Sequence, residues 1–153
     1  MQSMKVFAAA AAACAVLTMP TIAQANPGVT EAENIRKLDI MLMVTSLRCR
    51  TGEHDFRQDY QRFTTNNIVH LNRAYEKMRT NLSARYGNHG SKRALDKISV
   101  GMANSYGNGH PWLGCAELKQ VAVELSTARN QAQLSAEASR LLSPQRVALN
   151  GAQ

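Results

Sequence analysis

Apolar positions are densest, after the N-terminal leader, in Leu38-Asp-Ile-Met-Leu-Met-Val-Thr-Ser-Leu-Arg-Cys-Arg50. Ile35, Leu38, Leu42, Thr45 and Cys49 fall at alternating spacings of three and four, the signature of one helix face. Ile40, Met41, Met43, Val44 and Leu47 widen that face until little polar surface is left, which predicts a buried helix. Thr30-Glu-Ala-Glu33 has the form of a capping box and Thr51-Gly52 is a stop, so the first helix is expected over 31–50.

The helical period continues through Phe56, Tyr60, Phe63, Asn67, Leu71, Tyr75, Met78 and Leu82, predicting a second helix over 53–86. Thr64-Thr-Asn-Asn67 has low helix propensity and is where this helix is expected to bend. At 1.5 Å per residue it approaches roughly 50 Å, longer than its neighbours, so one end should overhang. An uncovered end would expose Tyr75, Met78, Leu82 and Tyr86 as an apolar strip suited to a homodimer or a protein partner. Gly87-Asn-His-Gly90 reads as a turn with Gly87 as the C-terminal cap. Ser91 then starts a third helix whose face is Leu95, Ile98, Met102 and Tyr106. Gly107-Asn-Gly-His110 breaks the pattern, and Pro111 suits the first turn of a fourth helix presenting Cys115, Leu118, Ala122 and Leu125. From Thr127 onward Ala, Gln and Ser dominate. Helix can reach Leu142, and the end beyond Pro144 reads as loosely ordered. There is no strand pattern, internal repeat or charge run.

The expected organisation is therefore a leader over 1–25, a helical domain over 26–126, and a tail over 127–153 that is partly helical or disordered. Short turns between helices imply antiparallel neighbours, hence an all-α, up-down four-helix bundle. The leader has a basic start ending at Lys5, an alanine-rich apolar run, and small residues at Ala23 and Ala25, the pattern of a signal peptide cleaved after Ala25. Its apolar run is shorter than the roughly 20 residues of a membrane span, so no transmembrane segment is expected in the mature chain. Lipidation at Cys14 is disfavoured, because Ala11 stands where a lipoprotein signal has Leu and the apolar run continues past Cys14. Cleavage leaves Cys49 and Cys115, which an oxidising compartment would pair and a reducing one would leave as thiols. In an up-down topology the end of helix one and the start of helix four share a pole, and the two cysteines sit at those places. A periplasmic or secreted location follows as the expectation.

The chain carries a net charge of +7, with 18 Lys and Arg against 11 Asp and Glu. A basic exported protein favours anionic envelope components over nucleic acid as partners. The shared pole would gather Arg48, Arg50, Glu53, His54, Tyr106, His110 and Trp112. Of these Arg48, Arg50, His54, His110 and Trp112 are the candidate ligand-binding set. Arginine forks and a stacking indole could hold a carboxylate, phosphate or sugar acid. Each member also has a structural explanation: the arginines suit the negative end of a helix, and Trp112 can shield the disulfide. No His-x-x-x-His, Cys-x-x-Cys or haem-attachment motif occurs, so neither metal nor cofactor is expected. No nucleophile elbow or phosphate loop is present either, and no catalytic residue is assigned. Acid pairs such as Glu53/Asp55 and Asp55/Asp59 could serve glycoside hydrolysis, but on a solvated helix face they read as surface charge.

Four stretches carry a resemblance: Ser46-Leu-Arg-Cys-Arg50, Asp59-Tyr-Gln-Arg-Phe63, Ala103-Asn-Ser-Tyr-Gly107 and Gly107-Asn-Gly-His-Pro-Trp-Leu-Gly-Cys115. With these the chain resembles a group of small exported helical proteins of Gram-negative bacteria that has no known activity, over about residues 35–125. The resemblance implies export and paired cysteines and carries over no catalytic or binding residue. The reading is a non-catalytic periplasmic helical protein that binds another protein or the cell envelope. The alternatives are a small-anion-binding module at the disulfide pole and an envelope-polymer hydrolase.

Overall fold

Asn26, rather than Thr30, starts the first helix. In the computed structural model, which describes residues 26–128 and 130–143, α1 spans Pro27–Arg48. The Asn26 side chain accepts from the Gly28 amide at 3.1 Å, and Pro27 occupies the first turn, where its missing N–H leaves no bond unmade. This pair gives a complete start one turn upstream of the expected capping box, so Thr30 turns its hydroxyl back toward the Asn26 carbonyl instead. Ile35, Leu38, Met41 and Leu42 are wholly buried, and Thr45 satisfies its hydroxyl on the Met41 carbonyl at 2.7 Å. The leader and residues 144–153 lie outside the described residues.

α2 spans Arg57–Ser105 and merges the two helices expected on either side of Gly87. Gly87 alone within it leaves helical geometry, at φ 67°, a conformation that glycine adopts without a Cβ penalty. A straight helix of 49 residues would extend about 73 Å. Yet near its start Tyr60 donates to Asp39 of α1 at 3.0 Å, and just past its end the Gly107 carbonyl accepts from Arg48 of α1 at 2.7 Å. The chain therefore turns back at Gly87, giving limbs over 57–86 and 88–105. Ser91 does not open the second limb; it is buried one turn in and donates to the Asn88 carbonyl at 2.9 Å.

The helix is not interrupted at Thr64–Asn67, where all four residues keep helical geometry. The asparagines are used differently: Asn66 donates to the Ser126 carbonyl at 2.8 Å and Asn67 to the Leu125 carbonyl at 3.0 Å. Both carbonyls belong to the last turn of α3 (Cys115–Ser126), where no intrahelical partner exists. α3 also starts later than expected, at Cys115 rather than at Pro111. The Glu117 carboxylate accepts from the Gly114 amide at 3.0 Å, and this local cap outweighs the preference of Pro111 for a first turn. Pro111 and Trp112 lie exposed in the preceding loop.

α4 spans Gln131–Leu142 and is capped by Asn130, which accepts from the Gln133 amide at 3.0 Å. Leu134, Ala138 and Leu141 bury its inner face in the common core. Gln131 donates to Glu31 near the start of α1 at 3.0 Å, while the Leu141 carbonyl meets His110 at 3.2 Å, so α4 runs along α1. The core thus extends past residue 126, where composition alone had placed its limit. All elements among the described residues are helices, and Cys49 and Cys115 are joined by a disulfide.

Asn67 is wholly buried and directs its amide nitrogen at two carbonyls, Phe63 and Leu125, each at 3.0 Å. Asn67→Ala should lower the unfolding free energy by about 2 kcal/mol, from the lost cap and the space it leaves. The near-isosteric Asn67→Asp should cost more, roughly 3 to 5 kcal/mol, because a buried carboxylate would face two carbonyl oxygens. Urea unfolding curves check the order; an aspartate variant as stable as the alanine variant would contradict it.

Asp39 is also buried. It accepts from Tyr60 at 3.0 Å and from Arg36 at 3.1 Å, yet burial outweighs both bonds and raises its carboxyl above the ordinary 3.8. The same burial, with the carboxylate beside it, raises the Tyr60 hydroxyl. A carboxyl that keeps its proton longer when folded favours the fold below its unfolded value. That contribution is lost as pH rises through the folded value. Asp39→Asn keeps an acceptor for Tyr60 and cannot ionise. Its stability relative to the parent should therefore rise as pH increases above 3.8, and a difference independent of pH would refute the assignment.

Candidate functional site

The disulfide brings the end of α1 and the start of α3 together, with Cα atoms 5.8 Å apart. Beside it lies a cleft of about 230 Å³, lined by Thr45, Arg48, Asn108, His110, Leu113 and the disulfide itself. Arg48, in the last turn of α1, reaches across to the Gly107 carbonyl at 2.7 Å and so fastens the loop that leads to α3. That loop turns at Gly109, whose φ of 104° again requires glycine. His110 then sits in a short aromatic stack: face to face with Tyr106 at 6.0 Å and edge-on to Trp112 at 4.7 Å.

The hydrogen bonds of His110 define its state. Nε2 faces the Leu141 carbonyl at 3.2 Å and must donate, while Nδ1 accepts from the Trp112 amide at 3.5 Å. Only the neutral imidazole does both. Burial holds its pKa below the ordinary 6.5, and the bond to the Leu141 carbonyl works in the opposite direction. Burial likewise raises the Tyr106 hydroxyl.

The structure therefore gathers only part of the expected set. Arg48 and His110 line the cleft, and Trp112 packs on the edge of His110. Arg50 and His54 do not line it. Arg50 turns back to the Leu47 carbonyl of α1 at 3.1 Å, and His54 faces its neighbour Glu53 at 3.1 Å on the exposed loop. Both short-range partners are closer along the chain than anything across the cleft. Thr45 and Asn108 line the cleft as well, and sequence reasoning had not singled them out. Thr45 was legible only as a core position, and Asn108 only as part of a break.

The acid pairs are engaged elsewhere. Both carboxylate oxygens of Asp55 accept from the Arg57 guanidinium, which lowers the carboxyl to about 2. Asp59 accepts from Arg62 at 3.2 Å. A general acid needs the opposite shift. The apolar strip expected at the far end of α2 is largely covered. Met78 is buried, Leu82 packs against the core, and Tyr75 is half-buried with the Arg36 guanidinium over its ring at 5.8 Å. Of the four only Tyr86 is exposed. Among the described residues no three His, Cys, Asp or Glu side chains are placed to hold a metal ion, and no helix is long and apolar enough to cross a membrane. Comparison with known protein families, with characterised proteins and with solved structures returns no match.

The His110 imidazole should titrate with a midpoint below 6.5 in NMR spectra of the folded chain. With its folded value depressed, its contribution to stability is complete above 6.5 and is lost as pH falls through the folded midpoint. His110→Phe retains the stack without the titration. It should flatten that acid limb while costing about 1 to 2 kcal/mol for the two lost hydrogen bonds. An unchanged acid limb would show that the charge change lies elsewhere.

Proposed function

We propose that this chain is a non-catalytic, exported helical protein, an up-and-down bundle stapled by Cys49–Cys115, that binds another protein or a component of the cell envelope. The observation that carries this reading is the use made of the chemistry-bearing groups at the disulfide pole. Arg48 is committed to the Gly107 carbonyl, both nitrogens of His110 to backbone groups, and Asp55 to Arg57. Groups fastened in this way hold loops in place, so the pole acts as a staple and binding falls to the outer surface. The turn-back of α2 at Gly87 and the course of α4 along α1 support the up-and-down arrangement. The leader pattern with Ala23 and Ala25, together with the disulfide, supports export to an oxidising compartment.

A second reading rests on the convergence of Arg48 and His110 on one cleft, which is large enough for a small carboxylate or phosphate. It requires Arg48 to share its guanidinium between the ligand and the Gly107 carbonyl.

Crosslinking in the intact cell envelope, followed by identification of the products, separates these readings. The proposed function predicts a processed, disulfide-bonded chain that crosslinks reproducibly to one envelope component or protein. A chain retained in the cytoplasm with free thiols, or one that forms no crosslink, overturns it. The small-anion reading predicts chemical-shift changes at Arg48 and His110 on titration with acetate or inorganic phosphate, lost in Arg48→Gln. Shifts that persist in that variant count against the cleft.

A further inference from the structure

Away from the disulfide, the turn of α2 at Gly87 gathers cations at one corner. Between residues 77 and 95 the chain has five cations, Lys77, Arg79, Arg85, Lys92 and Arg93, and no carboxylate. The turn at Gly87 wraps them around one corner. Arg79 alone among these five forms an ion pair among the described residues, with Glu76 at 2.8 Å. Arg79, His89 and Lys92 share a cleft of about 300 Å³ with Asn88.

The corner also projects. A Cβ added at Gly28 would collide with the Lys77 ammonium, which places Lys77 beside the first turn of α1. The roughly ten residues from Lys77 to Gly87 therefore run about 15 Å past the start of α1. Leu95 lies in the core and Leu82 packs against it, while Lys77, Arg85, Lys92 and Arg93 are exposed and Arg79 is half-buried. Near its apex the Tyr86 ring is 53% exposed, with the Arg85 guanidinium 5.6 Å from its centre.

We propose that this corner docks the protein on a bilayer containing anionic phospholipid. This rests on the envelope-binding reading and names the component bound. Charge complementarity selects an anion, and shape selects among anions. A chain-like polyanion is held in a groove with cations along its length. Here the cleft holds only Arg79, His89 and Lys92, and Lys77, Arg85 and Arg93 lie outside it on the projecting turn, which can meet a planar, deformable surface with several charges at once. Phosphate diesters lie at that surface, and each Lys or Arg near it adds attraction that decays within a Debye length. A half-exposed tyrosine is suited to the headgroup level, with its ring in the interface and its hydroxyl in water.

Cosedimentation of the disulfide-bonded chain with vesicles tests this. Vesicles with about one third phosphatidylglycerol should bind it, pure phosphatidylcholine should not, and binding should fall steeply between about 0.05 M and 0.5 M NaCl. Neutralising two exposed cations in Lys92→Gln/Arg93→Gln should lower partitioning roughly 30-fold. Arg57→Gln/Arg62→Gln removes the same charge at the other end of the limb and should change it less than about twofold. In a Trp112→Phe background, Tyr86→Trp should show a blue-shifted emission on vesicle binding. Equal binding to neutral vesicles, equal loss in the two double variants, or an unshifted indole emission from the Tyr86→Trp chain overturns the proposal. So does capture of polyphosphate or DNA by the corner without vesicle binding, which would make the partner a polymer. A Lys92→Gln/Arg93→Gln chain that still crosslinks in the envelope sinks the lipid assignment alone. Absence of crosslinks from the parent chain sinks the envelope reading itself.

Discussion

α1 carries more apolar surface than any one neighbour can cover. Ile35, Leu38, Met41 and Leu42 are wholly buried, and among the large apolar side chains of α1 only Met43 and Leu47 are exposed. Each such side chain gains about 1.5 to 3 kcal/mol by leaving water, so an uncovered side of α1 would cost as much as a small domain's net stability. Both limbs of α2, then α3 and α4, contribute to the core around it. The turn at Gly87 follows from this requirement. An unbroken α2 would cover one side of α1 and extend its remaining length into solvent.

Packing of apolar faces leaves sliding of one helix along another only weakly opposed, and the buried polar groups oppose it. Tyr60 reaches Asp39 at 3.0 Å only if the first limb of α2 stands at one height on α1. Asn66 and Asn67 meet the final carbonyls of α3 only if α3 ends beside them. Desolvating Asp39 works against the fold at neutral pH, and the bond to Tyr60 recovers part of that loss while fixing the register. The disulfide adds a covalent limit across 66 residues and, by loop entropy, about 4 kcal/mol.

Period and covalent chemistry were the parts of the fold legible in the residues. The buried face of α1, the apolar series of α2 from Phe63 to Met78, and the pairing of Cys49 with Cys115 all follow from spacing and cysteine count. Boundaries were harder, because competing signals of similar strength lay within a few residues. Asn26-Pro27 prevailed over Thr30, and Gly114 with Glu117 over Pro111. α4 was obscured by its composition. Its inner face needs only Leu134, Ala138 and Leu141, and an alanine at a core position reads the same as an alanine in a tail. At the site, sequence located the pole but could not orient Arg48 and Arg50. They flank the same cysteine, yet one lies inside the helix and reaches across while the other lies beyond it and folds back. The low propensity of Thr64–Asn67 was a real signal with the wrong interpretation, since side chains that compete for backbone bonds can also supply them to another helix.

The two ends of the molecule differ in how their charges are used. At the disulfide end, cationic groups have nearby acceptors of their own: Arg48 the Gly107 carbonyl, Arg50 the Leu47 carbonyl and Arg57 the Asp55 carboxylate. At the Gly87 corner Arg79 is paired with Glu76, but Lys77, Lys92 and Arg93 form no ion pair among the described residues, and Arg85 lies over a tyrosine. Like charges gathered on one turn repel, and that repulsion is lowered by an external anion without any change in the fold. Leu95 lies in the core and Leu82 packs against it, so the corner is maintained by the same core that the inner face of α1 enters. The arrangement separates holding the fold from meeting a partner. Losing the Arg48 or His110 bonds at the disulfide end releases a loop, whereas a charge removed at the corner takes no bond from the core.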